Sequence, residues 1–129
     1  MKHKEECRPP LRKDGKRWNR SPSRMKKITE VEAAWIGSMI EGEGSVIIGW
    51  NQSYFYPKVV MVNTDPEIHS VFLRILGMGS VHYKKSKIET YKPCFVWNCS
   101  RYNEVIDLLR VCKKYSMKLQ ELSDQIDTE

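Results

Sequence analysis

The stretch Ile36-Gly37-Ser38-Met39-Ile40-Glu41-Gly42-Glu43-Gly44 closes an apolar helix on two carboxylates, the side chains that the end of a helix least favours. A helix C-terminus carries roughly half a negative charge, so an exposed acid there costs about 0.3–1 kcal/mol. A divalent cation reverses that sign, and glycines on both sides of Glu43 let a ligand and backbone carbonyls come close. Upstream, Thr29 and Glu32 make the T-x-x-E capping box, and Val31, Ala34, Trp35, Ile36, Met39 and Ile40 spread apolar atoms around most of the helix. Such a helix packs on more than one side. Ala33, Ala34, Gly37 and Ser38 fit the close approach of a second helix, which offsets the ~1 kcal/mol that a helical glycine costs against alanine. A core helix with a glycine-rich C-cap shows the same spacing.

Downstream, residues 46–50 and 58–62 are β-rich runs separated by Asn51, Gln52, Ser53 and Pro57, the pattern of an antiparallel hairpin with a long turn. Asp65-Pro66-Glu67 opens a helix in which Ile68, Val71, Phe72, Ile75 and Leu76 form a one-sided stripe that Gly77 ends. Residues 80–83 and 94–99 make a second strand pair, joined by a basic segment holding Lys84, Lys85, Lys87 and Lys92, and helices follow over about 102–112 and 117–126. The order αββαββα with a terminal helix predicts an α+β fold, an antiparallel sheet covered by helices on one face and free for a partner on the other. Such a sheet fits a DNA major groove as β-ribbon readers do. Alternation puts Ser45, Ile47, Gly49 and Asn51 on one face of the first strand and Val46, Ile48 and Trp50 on the other. Both sets contain apolar residues, so alternation alone does not choose between them.

The chain has 129 residues and a net charge of +6, enough for one domain with a moderate core. Positive charge is concentrated before residue 29, where Arg17, Arg20, Arg24 and eight further bases face only Glu5, Glu6 and Asp14. With Pro9, Pro10, Gly15 and Pro22 and little aliphatic periodicity, residues 1–28 read as an extended basic arm ahead of a domain at 29–129. Basic arms follow DNA backbones or enter minor grooves, where each neutralised phosphate adds salt-dependent affinity. Trp18 favours docking of that arm. No apolar run reaches the ~18 residues of a membrane span, and the lysine-rich start lacks a signal-peptide core. The expected place is intracellular, in cytoplasm, nucleoid or an organelle matrix. Cys7, Cys94, Cys99 and Cys112 form no C-x-x-C pair and His3, His69 and His82 are scattered, so zinc is not expected and the cysteines read as reduced.

The quoted segment resembles the LAGLIDADG motif of homing endonucleases. Glu43 stands at the family's metal-binding acid, Glu41 at its other aspartate, Gly44 at its closing glycine and Gly37-Ser38 at its small pair, while Ile36 and Met39 replace leucines. Val62-Asn63-Thr64-Asp65 before a helix, Leu76-Gly77-Met78-Gly79-Ser80-Val81 after it, and Tyr115-Ser116-Met117-Lys118-Leu119-Gln120 resemble further family patterns in family order, over roughly residues 29–126. The resemblance implies the homing-endonuclease fold with its saddle-shaped sheet, and metal-dependent cleavage of both strands of DNA. It implies Mg2+ as cofactor, with Mn2+ able to substitute, Ca2+ binding without supporting cleavage, and no small-molecule cofactor. Glu43 and the carbonyl of Gly42 would hold the metal, Lys118 matches a late lysine near the scissile phosphate, and Asn63 matches a polar residue that positions water or metal. Glu41, pointing to a different face, would cap or bridge at the helix junction.

The same resemblance turns Ser45, Ile47, Gly49 and Asn51 toward DNA. Gln52, Tyr54 and Lys58 from the hairpin join them, with Ser80, His82, Lys84, Lys85 and Lys87 from the second strand pair and Arg17 and Arg20 from the arm. Phe95 and Trp97 are the corresponding guesses in the fourth strand, although both residue types more often fill a core. A single motif implies a symmetric homodimer across Ala34, Gly37, Ser38 and Glu41, a palindromic or nearly palindromic site, and staggered ends. The chain would be free-standing and intron-encoded rather than an intein. RNA maturases and non-cleaving DNA-binding regulators share the fold and form the alternative.

Overall fold

Thr29 caps α1 (Glu30–Glu43) with both halves of the capping box: its hydroxyl accepts from Glu32 N at 3.1 Å, and its own N–H donates to the Glu32 carboxylate at 2.8 Å. In this computed structural model, which describes residues 21–51, 54–85 and 93–128, α1 runs into the hairpin β1 (Gly44–Asn51) and β2 (Tyr54–Asn63). There follow α2 (Pro66–Leu76), β3 (Ser80–Lys84), β4 (Cys94–Cys99), α3 (Tyr102–Cys112), a 3-10 turn at Lys113–Tyr115, and α4 (Met117–Thr128). The fold is α+β, with the expected element order. Arg17, Arg20, Gln52 and Lys87, together with the side chains of Asn51 and Tyr54, lie outside what is described.

The antiparallel four-stranded sheet has the order β1-β2-β4-β3. Only Gln52 and Ser53 separate β1 from β2, so the turn is shorter than the prolines and polar residues suggested, and Pro57 lies within β2 opposite Ile48. The hairpin runs past the end of β4, whose pairing with β2 stops at Val59↔Cys99. Beyond that point one edge of β2 is open, and the missing proline N–H costs no bond to β4.

Register divides the sheet faces. Ser45↔Val60, Val60↔Asn98 and Ser80↔Asn98 form one row across all strands, flanked by Val62↔Val96↔His82 and by Ile47↔Lys58. Ser45, Ile47, Val62, Ser80, His82 and Lys84 on this face are exposed, whereas Val59, Met61, Trp97 and Cys99 on the other are buried under the helices. Trp97 is therefore not a surface contact. It is 0% exposed, packs edge-on against Phe72 with centroids 5.1 Å apart, and donates its indole N–H to the Met78 carbonyl at 3.2 Å. Phe95 shares its parity, so Cys94, Val96 and Asn98 are the β4 residues on the open face.

The core joins Ile36 and Ile40 of α1 to Phe72 and Leu76 of α2, Leu108 of α3, Leu119 and Leu122 of α4, and the covered sheet face. Each such side chain contributes about 1.5–3 kcal/mol of burial. Residues 21–28 belong to this body and not to a free arm. Met25 and Ile28 pack on the core, Lys26 N donates to Leu76 O at 2.8 Å, and Arg24 forms a two-pronged pair with buried Glu104.

Candidate active site

Glu41 and Glu43 end α1 with no base in the helix's last turn to balance them. The structure treats them differently. Glu41 turns toward the start of α4, where its Oε1 accepts from the Ser116 hydroxyl and from Lys118 N, both at 3.0 Å. Those bonds, the backbone donor foremost, stabilise the charged form more than burial opposes it and hold the carboxyl below its ordinary pKa. The positive end of α4 thus neutralises Glu41 within the chain. Ser116, which the sequence reading passed over as a site residue, also accepts from Leu119 N at 3.2 Å, so one hydroxyl caps α4 and ties it to α1.

Among the described residues, no cation pairs with Glu43. Its exposed carboxylate accepts from Asn63 Nδ2 at 2.6 Å, and the Asn63 Oδ1 accepts from Asp65 N at 2.8 Å, which fixes the orientation of the amide. Lys118 reaches the same corner, with Nζ donating to Gly44 O at 2.8 Å. Its backbone N–H on Glu41 and its ammonium on Gly44 therefore clasp the segment that carries Glu43. Strand β2 delivers Asn63 because it ends there, and α4 delivers Lys118 because Ser116 starts that helix beside Glu41.

The glycines serve space more than torsion. Gly44 has an ordinary φ of −95°, yet a Cβ there would stand 2.8 Å from Ile40 O. At Gly42 a Cβ would meet nothing within 4 Å, which leaves open room beside Glu43. Gly37, by contrast, faces the chain's own Tyr115, whose Cβ would lie 2.6 Å from an added methyl. Gly37 and Glu41 are therefore used inside the chain, not on the free face of α1 where a second copy could contact them. Ser38 is exposed and Ala34 half-buried.

No group of three or more His, Cys, Asp or Glu side chains able to hold a metal occurs among the described residues. Glu43 brings an exposed carboxylate, held by the Asn63 amide, to this corner. A single carboxylate of this kind can hold a hard divalent cation when phosphate oxygens and water complete the shell. Above it the open face presents Ser45, Lys58, Asn98, Ser80, His82 and Lys84 among Ile47, Tyr56, Val60 and Val62. Ile47 is 43% and Val62 44% exposed, unusual for apolar strand residues. Tyr56 lies over Gly49, where a Cβ would collide with its ring.

Neither a protein-family model nor a curated protein matches the chain. Solved structures do. The homing endonuclease I-CvuI, in complex with its target in the presence of calcium, superposes with a TM-score of 0.59 at 14% identity, covering 76% of this chain and 67% of that one. The archaeal intron-encoded homing endonuclease I-Vdi141I, complexed with DNA, gives 0.51 at 22% identity over 67% and 56% of the two chains. The LAGLIDADG meganuclease I-AabMI, bound to uncleaved DNA, gives 0.51 at 15% identity over 64% and 29%. With Glu43 and Gly44 at the junction of α1 and β1, and a four-stranded sheet covered on one face, the chain has the fold of the LAGLIDADG homing endonucleases.

Proposed function

We propose that the chain is a site-specific double-strand DNA endonuclease that works as a homodimer on a palindromic or nearly palindromic site, with Mg2+ as its metal. One observation carries the reading: of the two acids at the end of α1, Glu41 is hydrogen-bonded at the start of α4, while Glu43 is exposed and, among the described residues, hydrogen-bonded to the neutral amide of Asn63. An unbalanced carboxylate at a helix C-terminus, next to an ammonium and below an open sheet face, suits a cation shared with a DNA phosphate. When bound, Mg2+ would screen the phosphoryl oxygens and lower the pKa of a coordinated water.

Glu43 and the Gly42 carbonyl would supply the protein's ligands. Asn63 holds the Glu43 carboxylate in one orientation, which limits the reorganisation needed when a phosphate arrives. The Lys118 ammonium, now on the Gly44 carbonyl, is placed to stabilise charge on the scissile phosphate. The exposed face fits the major groove. Its lysines would hold phosphates, Ser45, Ser80, His82 and Asn98 offer hydrogen-bonding groups to base edges, and Ile47 and Val62 suit thymine methyls.

Cleavage of a randomised palindromic DNA library in magnesium, wild type beside Glu43→Gln, tests this directly. Discrete staggered cuts at one enriched sequence, lost in the mutant while binding persists, are expected. Selective binding with no cut in either protein would remove the nuclease assignment and favour a maturase or DNA-binding regulator.

A further inference from the structure

His69 is fully buried in α2, yet both ring nitrogens face backbone carbonyls. Nδ1 lies 2.9 Å from Asp65 O, and Nε2 lies 3.3 Å from Met61 O. Those carbonyls bracket Asn63, two residues to either side, and Asn63 is the side chain that orients Glu43. Across the sheet Met61 pairs with Gly44, whose carbonyl holds Lys118, and Asn63 pairs with Phe95, whose ring lies 6.1 Å from that of His69. The geometry points to His69 as the positioning residue of the active site. Its Nδ1–H, donated to Asp65 O, braces the β2–α2 corner from which Asn63 holds the Glu43 carboxylate.

The choice of nitrogen follows from distance. Both facing groups are carbonyls, which only accept, so the ring meets them as a donor. The shorter of the two contacts, Nδ1 to Asp65 O, is the one with the length of an ordinary N–H···O bond. An apolar side chain of similar size would fill the same space but offer Asp65 O no ring donor, so the hydrogen bond is what sets histidine apart here. His69 lies one turn before Phe72 and two before Leu76, and these three are the buried residues of α2, so its ring is the polar member of the buried face. A polar ring held there acts through the corner.

The catalytic half of this inference rests on the endonuclease reading. The test uses the full chain with His69→Leu, His69→Asn and His69→Gln, since an asparagine amide nitrogen stands close to the place of Nδ1 and a glutamine nitrogen close to that of Nε2. Three quantities are read: DNA affinity in calcium, the single-turnover cleavage rate in magnesium well below each variant's Tm, and the NMR exchange rate of the Asn63 side-chain amide protons. His69→Leu and His69→Gln are expected to keep DNA affinity but cut roughly 10–100-fold more slowly, as when a residue supporting a metal ligand is lost. His69→Asn is expected to recover most of the rate. Unimpaired cutting by His69→Leu, or rescue by His69→Gln and not by His69→Asn, overturns the assignment. If the leucine variant does not fold, the asparagine and glutamine pair decides. Should the wild type cut nothing, the nuclease reading falls and amide exchange decides alone. Faster Asn63 exchange in His69→Leu, restored in His69→Asn, supports the brace; unchanged exchange in His69→Leu refutes it.

Discussion

Gly42 and Gly44 flank the same carboxylate, yet a methyl group tells them apart. At Gly44 it would press on Ile40 O at 2.8 Å and Ile40 Cα at 3.0 Å, both backbone atoms that cannot swing away. Gly44→Ala should therefore destabilise the chain by about 1–3 kcal/mol, the ordinary cost of overpacking. At Gly42 the methyl meets open space, so Gly42→Ala should gain roughly 0.5–1 kcal/mol from helix propensity. Urea denaturation of both variants checks the pair; equal shifts would mean that the α1–β1 junction is looser than the structure shows. Resemblance to the family pointed to Glu43, Asn63 and Lys118, and the three meet at one corner because each stands at the end or start of an element. Residues inside elements were harder. Gly37 signals that something comes close to α1, but spacing cannot say that the neighbour is Tyr115 of the same chain. In Cys94-Phe95-Val96-Trp97-Asn98-Cys99 either parity has apolar members, and only pairing with Ser80 and Val60 turns Asn98 outward and Trp97 inward.

Among the elements, the segment at 21–28 is the one that composition misassigned. It is basic and lacks periodicity, yet an extended strap needs only occasional anchors, and Met25 and Ile28 supply them. Its third anchor is electrostatic. Glu104 on α3 is 1% exposed, and its carboxylate accepts from Arg24 Nε at 2.7 Å, Arg24 Nη2 at 3.0 Å and Arg24 N at 3.0 Å. Burial pushes the Glu104 carboxyl up, but the Arg24 side chain and backbone together outweigh it, so its pKa lies below the ordinary value. A group whose folded pKa is depressed adds stability that is present above its unfolded pKa of about 4.3 and is lost as pH falls through the folded value. Glu41, depressed by its bonds at the start of α4, has the same sign. Glu104→Gln should thus flatten the acid limb of the thermal stability curve between about pH 5 and pH 3 relative to wild type. Parallel curves for the two proteins would show that the strap is not pinned through this charge. Asn103 Nδ2 also donates to Ser21 O at 3.0 Å and ties the start of the strap to α3.

At the scale of the molecule, α1 has one face that the described residues leave exposed. Val31 is 79% and Trp35 36% exposed, and Ser38 and Gly42 continue the same stripe at helical spacing down to Glu43. Large apolar residues left to solvent along a helix that also carries small ones describe a surface shaped for a second helix. If that helix is α1 of another copy, two-fold symmetry brings two Glu43 carboxylates together, doubles the open sheet face and makes the DNA site a repeat of two half-sites. The dimer then gains affinity as well as chemistry, because binding of the second half-site becomes intramolecular. Ser38→Arg puts a long charged side chain in the middle of the stripe while touching nothing buried in the chain. It should leave far-ultraviolet circular dichroism and Tm unchanged, shift sedimentation from dimer to monomer, and lower affinity for a full palindromic site by roughly 10²–10⁴-fold. Affinity for an isolated half-site should stay as it was. A wild-type chain that sediments as a monomer while bound to its full site, or a Ser38→Arg chain that remains a dimer, would mean that the exposed stripe serves a different partner and that Glu43 acts singly.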